Sequence, residues 1–274
     1  MKTETFLRFP KFKTKAVTLS FDDGAIYDRT MTQILNRYGI KCTFNLNAGL
    51  MLEGVSGRID FDEVNELYTE HEIACHTYTH PHLDNLDLGS VAYEIIKDRE
   101  ALEEKTGRII EGFAYPYGLR ETDGMIDCIK KCGIKYARAT IPTYGFDLPK
   151  DYLRWNPTCH QADPKLYPII DKFLESDDLQ RDWQISLKLL YIWGHSYEYK
   201  NDWESLEKMC QTIGGHENVW YATNMEVIDY ITAFKMLRRS ANGKIIYNPT
   251  DTDIYVAVDG KNILLKKGET TVLE

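Results

Sequence analysis

Seven short runs rich in β-branched and aromatic residues recur along the chain: Ala16–Phe21, Lys41–Leu46, Glu72–Cys75, Gly112–Tyr115, Tyr136–Ala139, Leu187–Trp193 and Val219–Ala222. Segments of helical spacing separate them. A strand followed each time by a helical crossover pairs in parallel with the next strand, so the alternation predicts an α/β chain with a parallel sheet, closed as a barrel or left open. Asp28–Tyr38 places Met31, Ile34, Leu35 and Tyr38 on one helical face and stops at Gly39, a residue type suited to ending a helix. Ser90 is expected to cap a long helix ending before Gly107, and Thr122 another ending before Gly133; Trp203–Ile213 ends at Gly214–Gly215.

Beyond about Ala241 the pattern changes. Lys244–Tyr247, Ile254–Val258, Asn262–Leu265 and Thr270–Leu273 are short runs separated by Asn-Pro-Thr-Asp, Asp-Gly-Lys and Lys-Gly-Glu turns. The expected division is a barrel over residues 1–240 and a small antiparallel β segment over 241–274.

Two polar motifs stand at the ends of predicted strands. Residues 76–80 read His-Thr-Tyr-Thr-His, and 20–24 read Ser-Phe-Asp-Asp-Gly. Imidazoles at i and i+4 share one face of a helical turn, about 5–6 Å apart at Cβ. Two such rings and a carboxylate from elsewhere make three protein ligands and leave a position for water, the arrangement of a catalytic metal. Loops at the carboxyl ends of parallel strands are where such folds place their chemistry.

Charge and composition narrow the partners. The net charge is −9 and Lys and Arg form no stripe, so no nucleic-acid partner is expected. No apolar stretch approaches a membrane span, and residues 1–15 lack the pattern of a signal peptide. With six scattered cysteines read as reduced thiols, the expected location is cytoplasmic.

In chain order, Ser-Phe-Asp-Asp-Gly, His-Thr-Tyr-Thr-His, Ala-Tyr-Pro-Tyr-Gly (114–118) and Ile-Trp-Gly-His (192–195) resemble the motifs of the polysaccharide deacetylases, the NodB-homology group or carbohydrate esterase family 4. The resemblance covers roughly residues 14–235. It implies a distorted (β/α)7 barrel and a metal-dependent hydrolase that removes acetyl groups from an N-acetylated sugar, oligosaccharide or polysaccharide. It also implies Asp23, His76 and His80 as metal ligands, Asp22 as catalytic base, His195 as general acid, and the Tyr117 N–H as an oxyanion donor. The metal expected from this donor set is Zn²⁺, with Co²⁺, Ni²⁺ or Mn²⁺ accepted by the same ligands. An O-acetyl esterase with the same machinery and a catalytically silent carbohydrate-binding barrel are the alternatives. His82 is a spare donor rather than a ligand, and His71, His160 and His216 are read as structural or exposed, with His160, which follows Trp155, also able to reach the cleft.

One position departs from the family pattern. The arginine that usually precedes the proline of the third motif, and pairs with the catalytic aspartate, is Ala114 here. The segment Asp151-Tyr152-Leu153-Arg154-Trp155 suggests a relocated cation, so Arg154 is expected to reach across the pocket and hold Asp22. Tyr117, Trp155 and Trp193, with Tyr115 and Tyr197, are the expected sugar-stacking walls.

Overall fold

The fold is described from a computed structural model, which covers residues 4–176 and 187–273. The chain opens with strand β1 (Thr5–Arg8) and enters the parallel sheet through β2 (Lys15–Asp22), an eight-residue strand buried at every position. Then come α1 (Asp28–Arg37), β3 (Thr43–Leu46), the short helices α2 (Ala48–Leu52) and α3 (Val64–Leu67), and β4 (Glu72–Cys75). The long α4 (Leu88–Thr106) leads to β5 (Gly112–Ala114), α5 (Met125–Lys131) and β6 (Tyr136–Arg138). An irregular stretch precedes β7 (Cys159–His160) and α6 (Leu166–Glu175). The sheet is completed by β8 (Lys188–His195), α7 (Trp203–Ile213) and β9 (Val219–Tyr221), after which α8 spans Asn224–Met236.

The parallel sheet runs in the order β6-β5-β4-β3-β2-β8-β7, with β9 paired to the first residues of β2. β2 lies centrally, paired with β8 along its length and with β3 over Ser20–Asp22. The seven predicted runs all become strands of this sheet, and β7 is added to them. The sheet curls until its edges approach each other. Trp155 bridges them, donating its N–H to Ala137 (3.0 Å) and accepting from Ala139 (2.9 Å), while Thr158 donates to Tyr191 (2.8 Å). This is the distorted barrel the sequence implied. Helices cover its outer face: α1 buries Met31, Ile34 and Leu35, each worth about 1.5–3 kcal/mol of apolar burial.

Two helix starts differ from expectation. Asp87, not Ser90, caps α4, its carboxylate accepting the Ser90 N–H at 2.9 Å. α5 begins after Gly124 in a left-handed conformation, not at Thr122. Asp87 starts α4 one turn earlier than Ser90 would, and Gly124 stands directly before the buried Met125 of α5.

The remaining strands form two small antiparallel sheets. β10 (Arg238–Arg239), β11 (Ile245–Tyr247) and β14 (Thr270–Val272) make one. β12 (Ile254–Val258) and β13 (Lys261–Leu265) make the other with the N-terminal β1. A second apolar cluster joins these strands to α8 and the barrel, including Phe9, Tyr191, Ile231, Ile246, Val256 and Leu265.

Candidate active site

Asp22 ends β2, and the chain leaves the strand sharply because Asp23 and Gly24 both take positive φ, 84° and 59°. For a non-glycine residue this conformation is uncommon and is held by its surroundings. Asp23 donates its N–H to the Asn45 carbonyl at 2.9 Å, and Arg58 donates to the Asp23 carbonyl. The two neighbouring aspartates therefore point differently. Asp22 is bound on both oxygens, by Asn45 Nδ2 at 2.8 Å and by Arg138 Nη2 at 2.5 Å. Asp23 Oδ1 is buried and accepts no hydrogen bond among the described residues, lying 3.3 Å from Arg58 Nη1 and 3.4 Å from His80 Nε2.

The histidine pair does not sit on a helical turn. β4 stops at Cys75 and residues 76–80 form a loop in which Thr77 and His80 have φ of 68° and 60°. Its shape is imposed by polar contacts. Asn47 Nδ2 binds the carbonyls of His76 and Thr77 at 2.6 and 3.0 Å, Glu94 from α4 takes the Thr79 N–H at 2.8 Å, and Asp98 takes the His76 N–H at 2.9 Å. The rings still meet, centroids 4.8 Å apart. Loop hydrogen bonds here do what helical periodicity was expected to do.

Ligand atoms of Asp23, His76 and His80 lie within 4.8 Å of one another. His76 Nδ1 is 2.8 Å from the Ala114 carbonyl, so the ring proton resides there and the lone pair of Nε2 faces the site. Burial lowers the proton affinity of both imidazoles, of His80 to about 4 with His76 beside it, so both are neutral donors at neutral pH. Two neutral imidazoles and an unsatisfied buried carboxylate oxygen fit a divalent metal.

Asp22 is ionised as well as anchored. Burial pushes its proton affinity up, but Arg138, His76, His195 and the Asn45 bond outweigh it and hold the carboxyl below its usual range. Across the site, His195 Nε2 is 4.0 Å from Asp22 Oδ2, and its Nδ1–H donates to Glu198 at 2.7 Å. Burial opposes charging His195, yet the Glu198 bond and the charges of Asp22 and Asp23 raise its pKa above the ordinary value. The result is an ionised carboxylate and an imidazole of raised proton affinity flanking one candidate cation site, within a cleft of about 700 Å³.

Arg154 is not part of this arrangement. It lies on the surface, paired with Glu121 (2.5 Å) and Asp151 (2.6 Å), two carboxylates close enough to take the whole guanidinium. The cation on Asp22 is Arg138, fully buried and stacked 4.4 Å over the Trp193 ring. Arg138 is the register partner of Ala114 on the adjacent strand. An arginine inside the apolar run Tyr136–Ala139 was the available signal for it.

Among the aromatic residues, Trp155 is buried against Tyr136 and Tyr191, and Tyr115 is buried with its hydroxyl donated to the Leu153 carbonyl at 2.8 Å. Trp155 is core and does not line the cleft, whereas the buried Tyr115 lines it together with Tyr117, Trp193 and Tyr197. Tyr117 has φ 58° and stacks flat on His82, ring centroids 3.7 Å apart, with its edge toward His80. Its amide has no hydrogen-bond partner among the described residues.

Fold and site thus define a curled parallel α/β barrel with a candidate cation site of two histidines and one aspartate at the carboxyl ends of its strands. The family model for polysaccharide deacetylases matches residues 10–137. The peptidoglycan-N-acetylglucosamine deacetylase PgdA of Listeria monocytogenes is 30% identical over 112 residues, covering 40% of this chain and 23% of that protein. The chain therefore aligns with under a quarter of the length of that relative. A family 4 carbohydrate esterase from Streptomyces lividans, solved with acetate, shares the fold with a TM-score of 0.53 at 18% identity, over 77% of this chain and 93% of that one. A CE4 family pseudoenzyme from Bacillus anthracis gives 0.53 at 16% identity, over 82% and 68%. Over residues 10–137 the chain is similar to the polysaccharide deacetylases.

Proposed function

We propose that the protein is a metal-dependent hydrolase that removes acetyl groups from an N-acetylated sugar or oligosaccharide and releases acetate. What carries the reading is the pair Asp22 and His195, one an anchored carboxylate and the other an imidazole bonded to Glu198, on either side of Asp23, His76 and His80. These three would hold the ion, Zn²⁺ first among those the donors suit. Bound there, a divalent metal supplies Lewis-acid activation of the attacking water and of the acetyl carbonyl. Asp22 takes the proton from that water, being kept ionised by Arg138 and oriented by Asn45. The amine leaves poorly unless protonated, and His195 delivers the proton. The Tyr117 N–H serves as oxyanion donor, and Tyr117 and Trp193 contact the sugar. The similarity to a peptidoglycan-N-acetylglucosamine deacetylase supports an N-acetylglucosamine-containing glycan as the substrate class.

The fold alone does not assure activity, as the Bacillus anthracis pseudoenzyme illustrates. The ground for a silent barrel was the missing arginine at 114, and Arg138 supplies that contact to Asp22. The decisive assay is acetate release from N-acetylglucosamine oligomers. Chelation should abolish it, added Zn²⁺ or Co²⁺ should restore it, and Asp22→Asn should lower kcat on the order of 100-fold or more. No bound metal and no acetate across a panel of N- and O-acetylated glycans would overturn the reading. His195→Ala should lose amide cleavage while sparing an activated acetate ester; equal losses on both would count against His195 as the acid.

A further inference from the structure

Behind His195 lies a second histidine that the proposed reaction does not use. His160, at the end of β7, is the register partner of Trp193. Its Nδ1 accepts the Ala162 N–H at 3.1 Å, which leaves its ring proton on Nε2, 3.4 Å from Glu198 Oε1. The same oxygen receives the Nδ1–H of His195 at 2.7 Å. The other oxygen of Glu198 is held by Gln161 Nε2 at 3.1 Å, and that amide also donates to the His195 carbonyl at 2.8 Å. Gln161 reaches this position because residue 194 is glycine: a Cβ there would stand 2.3 Å from the Gln161 amide carbon. His160, His195 and Glu198 also lie close enough for a cation. Yet ligation through His160 Nε2 would put a proton on Nδ1 facing the Ala162 N–H, so the pattern is that of a hydrogen-bond relay.

We propose that His160 is a positioning residue that sets the proton affinity of His195 by sharing its carboxylate partner, Glu198. This rests on His195 being the general acid. A carboxylate oxygen shared between two donors concentrates less charge on either one, so His160 moderates the pull of Glu198 on the His195 proton. Without His160, Gln161 still fixes Glu198, and His195 should hold its proton more tightly. The other groups facing His195 are Asp22 and Asp23 at the end of β2 and Tyr197, whose ring stacks on it at 4.8 Å. The Trp193 ring contacts both histidines, its centroid 4.6 Å from that of His160 and 5.7 Å from that of His195. The convergence of donors also keeps Glu198 ionised far below the usual carboxylate range, against the opposing effect of its burial.

The test is an NMR titration of the histidine side chains in the Zn²⁺-loaded protein, labelled with ¹⁵N-histidine. Wild type, His160→Ala, His160→Gln and Glu198→Gln are compared. The His195 midpoint should rise in His160→Ala by about half a unit, a threefold gain in proton affinity. It should return toward wild type in His160→Gln, which keeps a hydrogen-bond donor there, and fall by about one unit or more in Glu198→Gln. The basic limb of the kcat/KM profile should move with it. An unchanged or lowered midpoint in a folded His160→Ala protein would overturn the proposal. The titration needs no substrate, so absence of deacetylase activity would sink the proposed function and leave this readout standing.

Discussion

An arginine with no exposed surface has to be paid for by a partner, and for Arg138 that partner is Asp22. Stranding one member of a buried pair costs about 3–5 kcal/mol, so Arg138→Ala confounds folding with function. Arg138→Lys keeps the charge and loses the planar stack on Trp193. It should fold and lose on the order of 10–100-fold in kcat/KM. Arg154→Ala, which breaks only surface pairs, should leave kcat/KM within about twofold and stability within about 0.5 kcal/mol. Equal effects of the two variants would reject Arg138 as the cation that serves Asp22. Two buried titratable groups make a second test. Burial pushes the Asp28 carboxyl up to about 7, despite hydrogen bonds from Ser196 and Tyr68. Burial, with Lys41 nearby, lowers His71 to about 4, and neither His71 ring nitrogen has a partner among the described residues. Their signs oppose. Native Asp28 keeps a proton that the unfolded chain has lost, so its contribution to stability declines as pH rises from near 4 to 7. Unfolded His71 gains a proton that the native ring refuses, so stability declines as pH falls from about 6.5 toward 4. Urea unfolding at pH 8 and pH 5 should therefore show Asp28→Asn losing ground to wild type in acid and His71→Phe gaining it, each on the order of 2 kcal/mol. Differences that do not change between the two pH values would refute the linkage.

Ala114 and Arg138 face each other across β5 and β6, and side chains at matched positions of paired strands leave the sheet on the same face. Relative to the arginine that the resemblance places at position 114, the cation on Asp22 stands one strand sideways. That gives an exchange experiment: in the Arg138→Ala background, Ala114→Arg fills vacated space and should recover at least about tenfold of the lost kcat/KM. Ala114→Arg alone should be strongly destabilising, since position 114 is fully buried and overpacking costs about 1–3 kcal/mol or more. A double variant no better than Arg138→Ala alone would show that the strands are not interchangeable donors. The same elements show what could be read from the sequence. The seven strand runs and the four chemical motifs were legible because each is local: a β-branched run, a turn with adjacent carboxylates, a spaced histidine pair. The segment Asp151–Trp155 points to Arg154 as the relocated cation, whereas the contact with Asp22 depends on which strand lies beside β5. β7 has only two residues and no apolar run, and α6 carries Pro168 near its start, so neither announced itself. Glu198 was missed for another reason. It acts through His195 from the turn after β8, and a lone glutamate in an aromatic-rich segment carries no spacing signal.

At the scale of the molecule, the N-terminus and the last strands cannot be separated. β1 pairs along its length with β12, from Thr5 opposite Val258 to Arg8 opposite Tyr255, and the next strand of the chain is β2, which carries Asp22 and Asp23. Tyr230 on α8 ties both sides together, its hydroxyl donating to the Arg8 carbonyl at 2.8 Å and accepting the Tyr255 N–H at 2.9 Å. Phe9 is fully buried in the cluster that these strands share with the barrel, its ring 5.4 Å from that of Trp220. Removing residues 241–274 would leave β1 an unpaired edge and expose Phe9, Tyr230 and Ile231. Burial of a large apolar side chain is worth about 1.5–3 kcal/mol, so the loss should reach about 4 kcal/mol. That corresponds to a fall in Tm of about 10 °C or more for a chain of this size. Because β1 leads into β2, the damage should extend to the cation site, and the shortened protein should bind less than one equivalent of Zn²⁺ under conditions that saturate the intact chain. Calorimetry and metal analysis of the two forms side by side check both effects. An unchanged Tm with full metal occupancy would show that the barrel stands without its antiparallel cover.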